Sequence, residues 1–135
     1  MNLKNPVWEI MNTDLISISS DTKLEKIKEI FKSNSFHHLL VKDENDQLKG
    51  IISIADLDRA NLLPVQVGKL LAMHIMTISV TTITPDTLIE KALDLFLNNR
   101  FRALPVVDES GKAVGILTPI DLMQTLVNEG SFSIE

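Results

Sequence analysis

The chain has 135 residues and a formal net charge of −5, with 44 % hydrophobic and 23 % charged residues, values typical of a globular protein. The acidic balance, the absence of tyrosine and the single tryptophan argue against a nucleic-acid-binding protein. No apolar run is long enough to span a membrane, the first residues lack a signal-peptide pattern, and no cysteine is present. We therefore expect a cytoplasmic protein of one compact domain, or of two small halves that share one core.

The sequence is a tandem duplication with an offset of 65 residues. Residues 10–62 align without a gap over residues 75–127. The alignment has far more identities than the roughly three or four expected by chance. We place the two repeats at residues 1–64 and 65–135. Two copies predict a pseudo-twofold pair, because a solenoid needs more repeats.

Each copy carries the same order of secondary-structure signals. For the first copy they predict a turn at 7–11, a strand at 15–18, a helix at 22–33, strands at 36–41 and 48–53, and a helix at 55–62. For the second copy they predict a turn at 70–76, a strand at 80–83, a helix at 87–98, strands at 102–107 and 113–118, and a helix at 120–127. The predicted fold class is α+β, in the order β-α-β-β-α twice, with small sheets packed against helices.

The two long helices are predicted to start alike and to pack differently. Thr22 with Glu25, and Thr87 with Glu90, have the spacing of a helix-start box. The apolar side chains of the first helix span about 120°, whereas those of the second span about 200°. The wider arc predicts either deeper burial against the other repeat or a homodimer contact, and we favour the homodimer.

A hydroxyl residue three positions before an aspartate recurs where the last strand of each copy is predicted to turn into its last helix. It occurs at Ser53 and Asp56 in the first copy and at Thr118 and Asp121 in the second, where Pro119 suits the first helical position. Such a pattern is typical of a helix cap. It is equally compatible with a ligand-binding corner, and the two roles do not exclude each other.

This duplicated order, closed in each half by Gly-apolar-apolar-[Ser/Thr]-x-x-Asp-apolar, resembles the tandem CBS domain pair, also called the Bateman module. The second copy matches the family in Ile75–Thr77, Thr84–Thr87, Arg102–Asp108 and Gly115–Leu122. The first copy has Ser20, Leu40 and Lys42 where the family has two prolines and an apolar residue. The resemblance extends over residues 5–128.

The resemblance implies regulatory binding of an adenosine-containing ligand, namely AMP, ADP, ATP or S-adenosylmethionine, in clefts between the repeats, with no cofactor and no metal. Asp56 and Asp121 are then expected to accept hydrogen bonds from the two ribose hydroxyls, since an ionised carboxylate can accept several donors. Ser53 and Thr118 are expected near phosphates, which helix N-termini attract.

Further contacts are implied by the segments that family members share across the pair. The pocket around Asp121 is implied to receive Ser19, His37 and His38 from the first copy, and the pocket around Asp56 to receive Thr84 and Arg102 from the second. The implied apolar walls for adenine are Ile16, Val80, Ile54 and Ile120. The histidines and the arginine also fit a polar strand edge. Because neighbours on a strand point to opposite faces, the two histidines are not expected to hold a metal.

Three classes of function compete. The leading hypothesis is a ligand-sensing module, which we expect to lack an effector domain and to act on an effector protein. The alternative is a ligand-free homodimerisation or scaffold module, based on the wide apolar arc of the second long helix. An enzyme is not expected, because no Gly-rich phosphate loop or Ser-His-Asp pattern occurs and the two aspartates have matching surroundings. Neither a membrane nor a nucleic acid is expected as a partner.

Overall fold

The computed structural model describes residues 1–34, 36–63 and 67–130, which form two compact units. The first-copy unit is Ile16–Val80, and the second-copy unit combines Met1–Leu15 with Thr81–Glu135. Each unit therefore contains the segment that precedes the other copy in the sequence. The predicted boundary between residues 64 and 65 lies outside the described residues.

The first-copy unit is built on a three-stranded sheet. Its elements are β1 (Ser17–Ser19), α1 (Leu24–Ser33), β2 (His38–Lys42), β3 (Leu48–Ser53), α2 (Ile54–Ala60), a 3-10 turn (Val67–Lys69) and α3 (Ala72–Ile75). Strand β2 is central, parallel to β1 and antiparallel to β3. Leu39, Leu40 and Val41 are all buried, as expected for a strand that has protein on both faces.

The second-copy unit repeats this plan with a shorter sheet. Its elements are a 3-10 turn (Val7–Glu9), α4 (Ile89–Asn98), β4 (Leu104–Val107), β5 (Ala113–Leu117) and α5 (Pro119–Asn128). Strands β4 and β5 are antiparallel. The strand predicted at 80–83 is wrong in extent, because only Ile83 pairs, through a single parallel bridge to Val106.

Each unit has its own hydrophobic core. The predicted stripe of α1 is confirmed, because Leu24 and Ile27 are buried and Ile30 and Phe31 pack partly buried against the same cluster. The second cluster contains the following buried residues: Val7, Ile83, Ile89, Ala92, Leu104, Val106, Leu117 and Leu122. Full burial of one such leucine or isoleucine side chain contributes about 1.5–3 kcal/mol.

The helix-start boxes predicted for the two long helices are wrong. Helix α1 begins after Lys23 and α4 after Leu88, neither with a side-chain cap. Backbone carbonyls accept from the first helical amides instead, since Leu24 N–H donates to Leu70 O at 3.0 Å and Ile89 N–H donates to Asn5 O at 2.9 Å. With these amides already paired, a side-chain cap has less to contribute.

The segment that precedes the opposite copy also protects a sheet edge. The Thr77 N–H donates to Ile51 O of β3 at 2.9 Å, and the Ile51 N–H donates to Thr77 O at 3.1 Å. Asn12 makes the matching pair with Ile116 of β5, at 2.9 Å in both directions. Main-chain groups that would otherwise be open at an edge strand are satisfied in this way.

The predicted fold class is confirmed. Both units are α+β, and paired residues in one unit recur 65 positions along in the other, as with Ile18–Val41 and Ile83–Val106. The pseudo-twofold relation between the copies stays a prediction.

The turns between the paired strands are held by an aspartate in each copy. Asp43 Oδ1 accepts from the backbone amides of Asn45 and Gln47, each at 2.9 Å. Asp108 Oδ1 accepts from the Ser110 hydroxyl at 2.7 Å and from two backbone amides. The Gln47 amide lowers the pKa of Asp43, and the Ser110 hydroxyl lowers that of Asp108, from the ordinary 3.8.

A carboxyl group whose pKa is lower in the folded state stabilises the fold above its unfolded pKa. That stability is lost as the pH falls below about 4 and through the folded pKa. We expect the double variant Asp43→Asn/Asp108→Asn to flatten the loss of stability between about pH 4 and pH 3, measured by urea denaturation. Asp94→Asn, at an exposed position on α4, is the control. An unchanged slope in the double variant would contradict the expectation.

Candidate functional site

The two hydroxyl–aspartate corners are both formed, and both are helix caps. Strand β3 passes directly into α2, with Ser53 as N-cap and Asp56 as the third helical residue. Strand β5 leads to α5 in the same way, with Thr118 as N-cap, Pro119 at the helix start and Asp121 as the third helical residue. The capping interpretation is thus confirmed, which leaves the ligand role as a separate question.

The capping distances are closely matched. The Ser53 N–H donates to Asp56 Oδ2 at 2.7 Å, and the Asp56 N–H donates to Ser53 Oγ at 3.3 Å. In the second copy the Thr118 N–H donates to Asp121 Oδ2 at 2.8 Å, and the Asp121 N–H donates to Thr118 Oγ1 at 3.2 Å. Each box uses one carboxylate oxygen, so the other oxygen decides what else the aspartate can bind.

Arg59 makes the two corners different. Its guanidinium donates to Asp56 Oδ1 and forms an ion pair, while the Asp56 side chain is only 5 % exposed. The matching position in the second copy is Gln124, whose amide donates to Asn128 Oδ1 at 3.1 Å instead. Arg59 was not among the predicted site residues, although its spacing of three residues from Asp56 on a helix was an available signal.

Several predicted site residues of the first copy meet at one end of its sheet. His38 lies opposite Ser53 in the ladder, and the backbone carbonyl of His37 accepts from the Ile54 N–H at 3.3 Å. The backbone carbonyl of Ile16 accepts from Leu40, and the Ile16 side chain packs against the first-copy core. His37 is exposed and His38 half-buried.

Ser19 and Thr84 lie elsewhere within their units. Ser19 pairs with Lys42, four positions along β2 from His38, or about 13 Å at the rise of a strand. Its hydroxyl donates to Asp21 at 2.5 Å, while the Thr84 hydroxyl lies 3.1 Å from that of Thr87. Their assignment to the pocket of the opposite copy stays a prediction.

The remaining candidates are open to solvent or half-buried. Arg102 is exposed and lies just ahead of β4, whose first residue Leu104 pairs with Leu117 beside Thr118. Ile120 is 64 % exposed and Ile54 is 39 % exposed, each at a helix start. Val80 is half-buried. Arg102 therefore shares one end of the second-copy unit with the Asp121 corner.

Neither a metal-binding cluster nor a membrane-spanning helix occurs within residues 1–34, 36–63 and 67–130. No group of three or more His, Cys, Asp and Glu side chains there is arranged to hold a metal ion. None of the helices in this part of the chain has the length and apolar character needed to cross a membrane.

Comparison with known proteins identifies the repeats. The model of the CBS domain matches twice, over residues 7–62 and 72–128. A homoserine O-acetyltransferase of Methanosalsum zhilinae is 32 % identical over 122 residues, which are 90 % of this chain and 24 % of that protein. The chain spans only about a quarter of the length of the first curated relatives that it matches.

Solved structures show the same architecture. CBSX2 in complex with AMP is 27 % identical with a TM-score of 0.82, covering 93 % of this chain and 98 % of that one. The CBS domain pair of MJ0100, in complex with 5′-methylthioadenosine and S-adenosyl-L-methionine, is 25 % identical with a TM-score of 0.81, covering 92 % and 97 %. With both repeats matched in sequence and in structure, the chain belongs to the CBS domain family as a tandem pair.

Proposed function

We propose that this chain is a regulatory module that binds an adenosine-containing ligand, AMP, ADP, ATP or S-adenosylmethionine, and does not catalyse a reaction. The observation that carries the proposal is the Asp121 corner, where a carboxylate caps a helix with one oxygen and keeps the other for a ligand. The complexes of CBSX2 with AMP and of MJ0100 with adenosine derivatives support the class of ligand. Capping holds the carboxylate in place before a ligand arrives, which lowers the entropic cost of binding.

The corner offers distinct partners for each part of such a ligand. The Asp121 carboxylate would accept hydrogen bonds from the ribose hydroxyls. Thr118, at the start of the ten-residue helix α5, would lie near a phosphate, which the helix dipole favours. His37 and His38 are proposed as further contacts of this phosphate. Ile120 and the other apolar candidates would contact the adenine ring.

The first copy carries the corresponding residues, which would take the same roles toward a ligand that displaced Arg59 from Asp56. Asp56 would face a ribose and Ser53 a phosphate, with Arg102, which is exposed, proposed as a further contact of that phosphate. The apolar candidates are Ile16, Ile54 and Val80. Ser19 and Thr84 complete the proposed contacts from the opposite copies.

Calorimetric titration of the full chain with AMP, ADP, ATP and S-adenosylmethionine tests the proposal. We expect saturable binding of at least one ligand, and a melting temperature that rises with its concentration. The 2′-deoxy analogue of that ligand is the control, because it lacks one ribose hydroxyl and should bind about tenfold more weakly. Heats indistinguishable from buffer for all four ligands would remove the proposal.

A ligand-free homodimerisation or scaffold module is the second candidate, and the apolar surface of α4 favours it. Leu97 is 80 % exposed and Leu88 is 37 % exposed. Light scattering distinguishes the candidates, because a dimer that forms without ligand, together with silent titrations, would favour the scaffold. We further propose that the protein is cytoplasmic, that it acts on an effector protein, and that it forms a homodimer through α4.

A further inference from the structure

We propose that Arg59 competes internally for the Asp56 carboxylate, so that the chain binds one ligand, at the Asp121 corner, and not two. The inference rests on the proposed function and adds to it the number of ligands and the residue that sets it. Arg59 would then explain why only one of the two copies binds a ligand, although both have the same capping geometry.

Both oxygens of Asp56 are engaged within its own helix turn. Oδ2 accepts from the Ser53 N–H at 2.7 Å and from the Ser53 hydroxyl at 3.1 Å. Oδ1 accepts from the Arg59 guanidinium. With the side chain only 5 % exposed, a ribose would have to displace Arg59 before its hydroxyls could reach this carboxylate.

At the Asp121 corner, one carboxylate oxygen and the Thr118 hydroxyl are not engaged as their counterparts are at the Asp56 corner. Oδ2 accepts from the Thr118 N–H at 2.8 Å. In the part of the chain that the structure describes, no hydrogen-bond donor is assigned to Oδ1, and the Thr118 hydroxyl, unlike that of Ser53, does not donate to its aspartate. Asp121 is half-buried, whereas Asp56 is buried. An incoming diol therefore finds an open acceptor at Asp121 alone.

The charge of Arg59 strengthens this competition. A guanidinium bound to a carboxylate removes its net negative charge, and hydrogen bonds to charged groups are the stronger ones. Because the Arg59 side chain is 70 % exposed, its release into water needs no rearrangement of the core. Substitution of Arg59 should therefore change ligand binding more than it changes the fold.

The two copies supply a matched pair of variants. Arg59→Gln installs the residue found at position 124, and Gln124→Arg installs the residue found at position 59. Titration of the full chain with AMP, and with S-adenosylmethionine as second probe, should saturate at one ligand per chain for the natural protein. Arg59→Gln should raise this toward two, and Gln124→Arg should weaken binding at Asp121 about tenfold. Circular dichroism verifies that each variant is folded.

The outcomes separate this inference from the function on which it rests. Two equivalents bound by the natural protein, or one equivalent bound by folded Arg59→Gln, would overturn the role of Arg59 and leave the proposed function intact. Absence of binding of AMP, ADP, ATP and S-adenosylmethionine by the natural protein and both variants would remove the proposed function and this inference together.

Discussion

Replacement of Gly50 by alanine is expected to lower the free energy of unfolding by about 2–3 kcal/mol. A Cβ atom at this position would lie 2.7 Å from Met76 Sδ and 2.9 Å from Thr77 O. The Thr77 carbonyl is backbone and accepts the Ile51 N–H at 3.1 Å, so it cannot withdraw without weakening the edge pairing. Urea denaturation measures the loss, and the melting temperature should fall by several degrees.

Gly115→Ala is the matched comparison, because Gly115 has the same place in the second copy. The three heavy atoms nearest to its added Cβ all belong to the Met11 side chain, with Cγ at 2.9 Å and Sδ closer still. Because a methionine side chain can change rotamer, we expect a smaller loss of about 1 kcal/mol. Gly68→Ala, where no atom of the residues that the structure describes lies within 4 Å of the added Cβ, should be nearly neutral. Equal losses at Gly50 and Gly115 would contradict the role of the Thr77 carbonyl.

Asp121→Asn is expected to weaken the binding of the adenosine ligand about 100-fold, because it removes the charge that strengthens two hydrogen bonds from ribose. The asparagine oxygen can still accept the Thr118 N–H, so the cap and the fold should be preserved. Asp56→Asn should have a smaller effect, since Arg59 already occupies that carboxylate. Calorimetry at constant salt gives the ratio of the dissociation constants.

The exposed Asp94 of α4 provides a control for the change in net charge alone. Asp94→Asn should bind ligand as the natural protein does. An Asp121→Asn protein that is folded and binds with unchanged affinity would show that this carboxylate does not contact the sugar.

The sequence predicted local structure well where the signals are themselves local. The Thr118–Asp121 cap and strand β3 at 48–53 are both confirmed. Each depends on residues within a few positions of one another. The 65-residue offset also predicted that the two copies have the same order of secondary-structure elements.

Features that depend on distant partners could not be predicted in this way. The Thr22 box failed because a carbonyl at Leu70 pairs with the helix start, and no periodicity within residues 22–33 reveals that partner. The closeness of Met76 to Gly50 is likewise a contact between segments far apart in the chain. Arg59 is the exception, because its relation to Asp56 is local and was readable from the spacing.

The exchange of leading segments bears on the ancestry of the chain. In a chain with a single copy, the segment would precede that copy in the sequence. In the present chain each copy is completed by the segment that precedes the other copy. Two single-copy polypeptides could have completed each other by swapping those segments, as a pair held together without any covalent link. Duplication of the gene would then have joined existing partners, so that fusion preceded neither the pairing nor the fold.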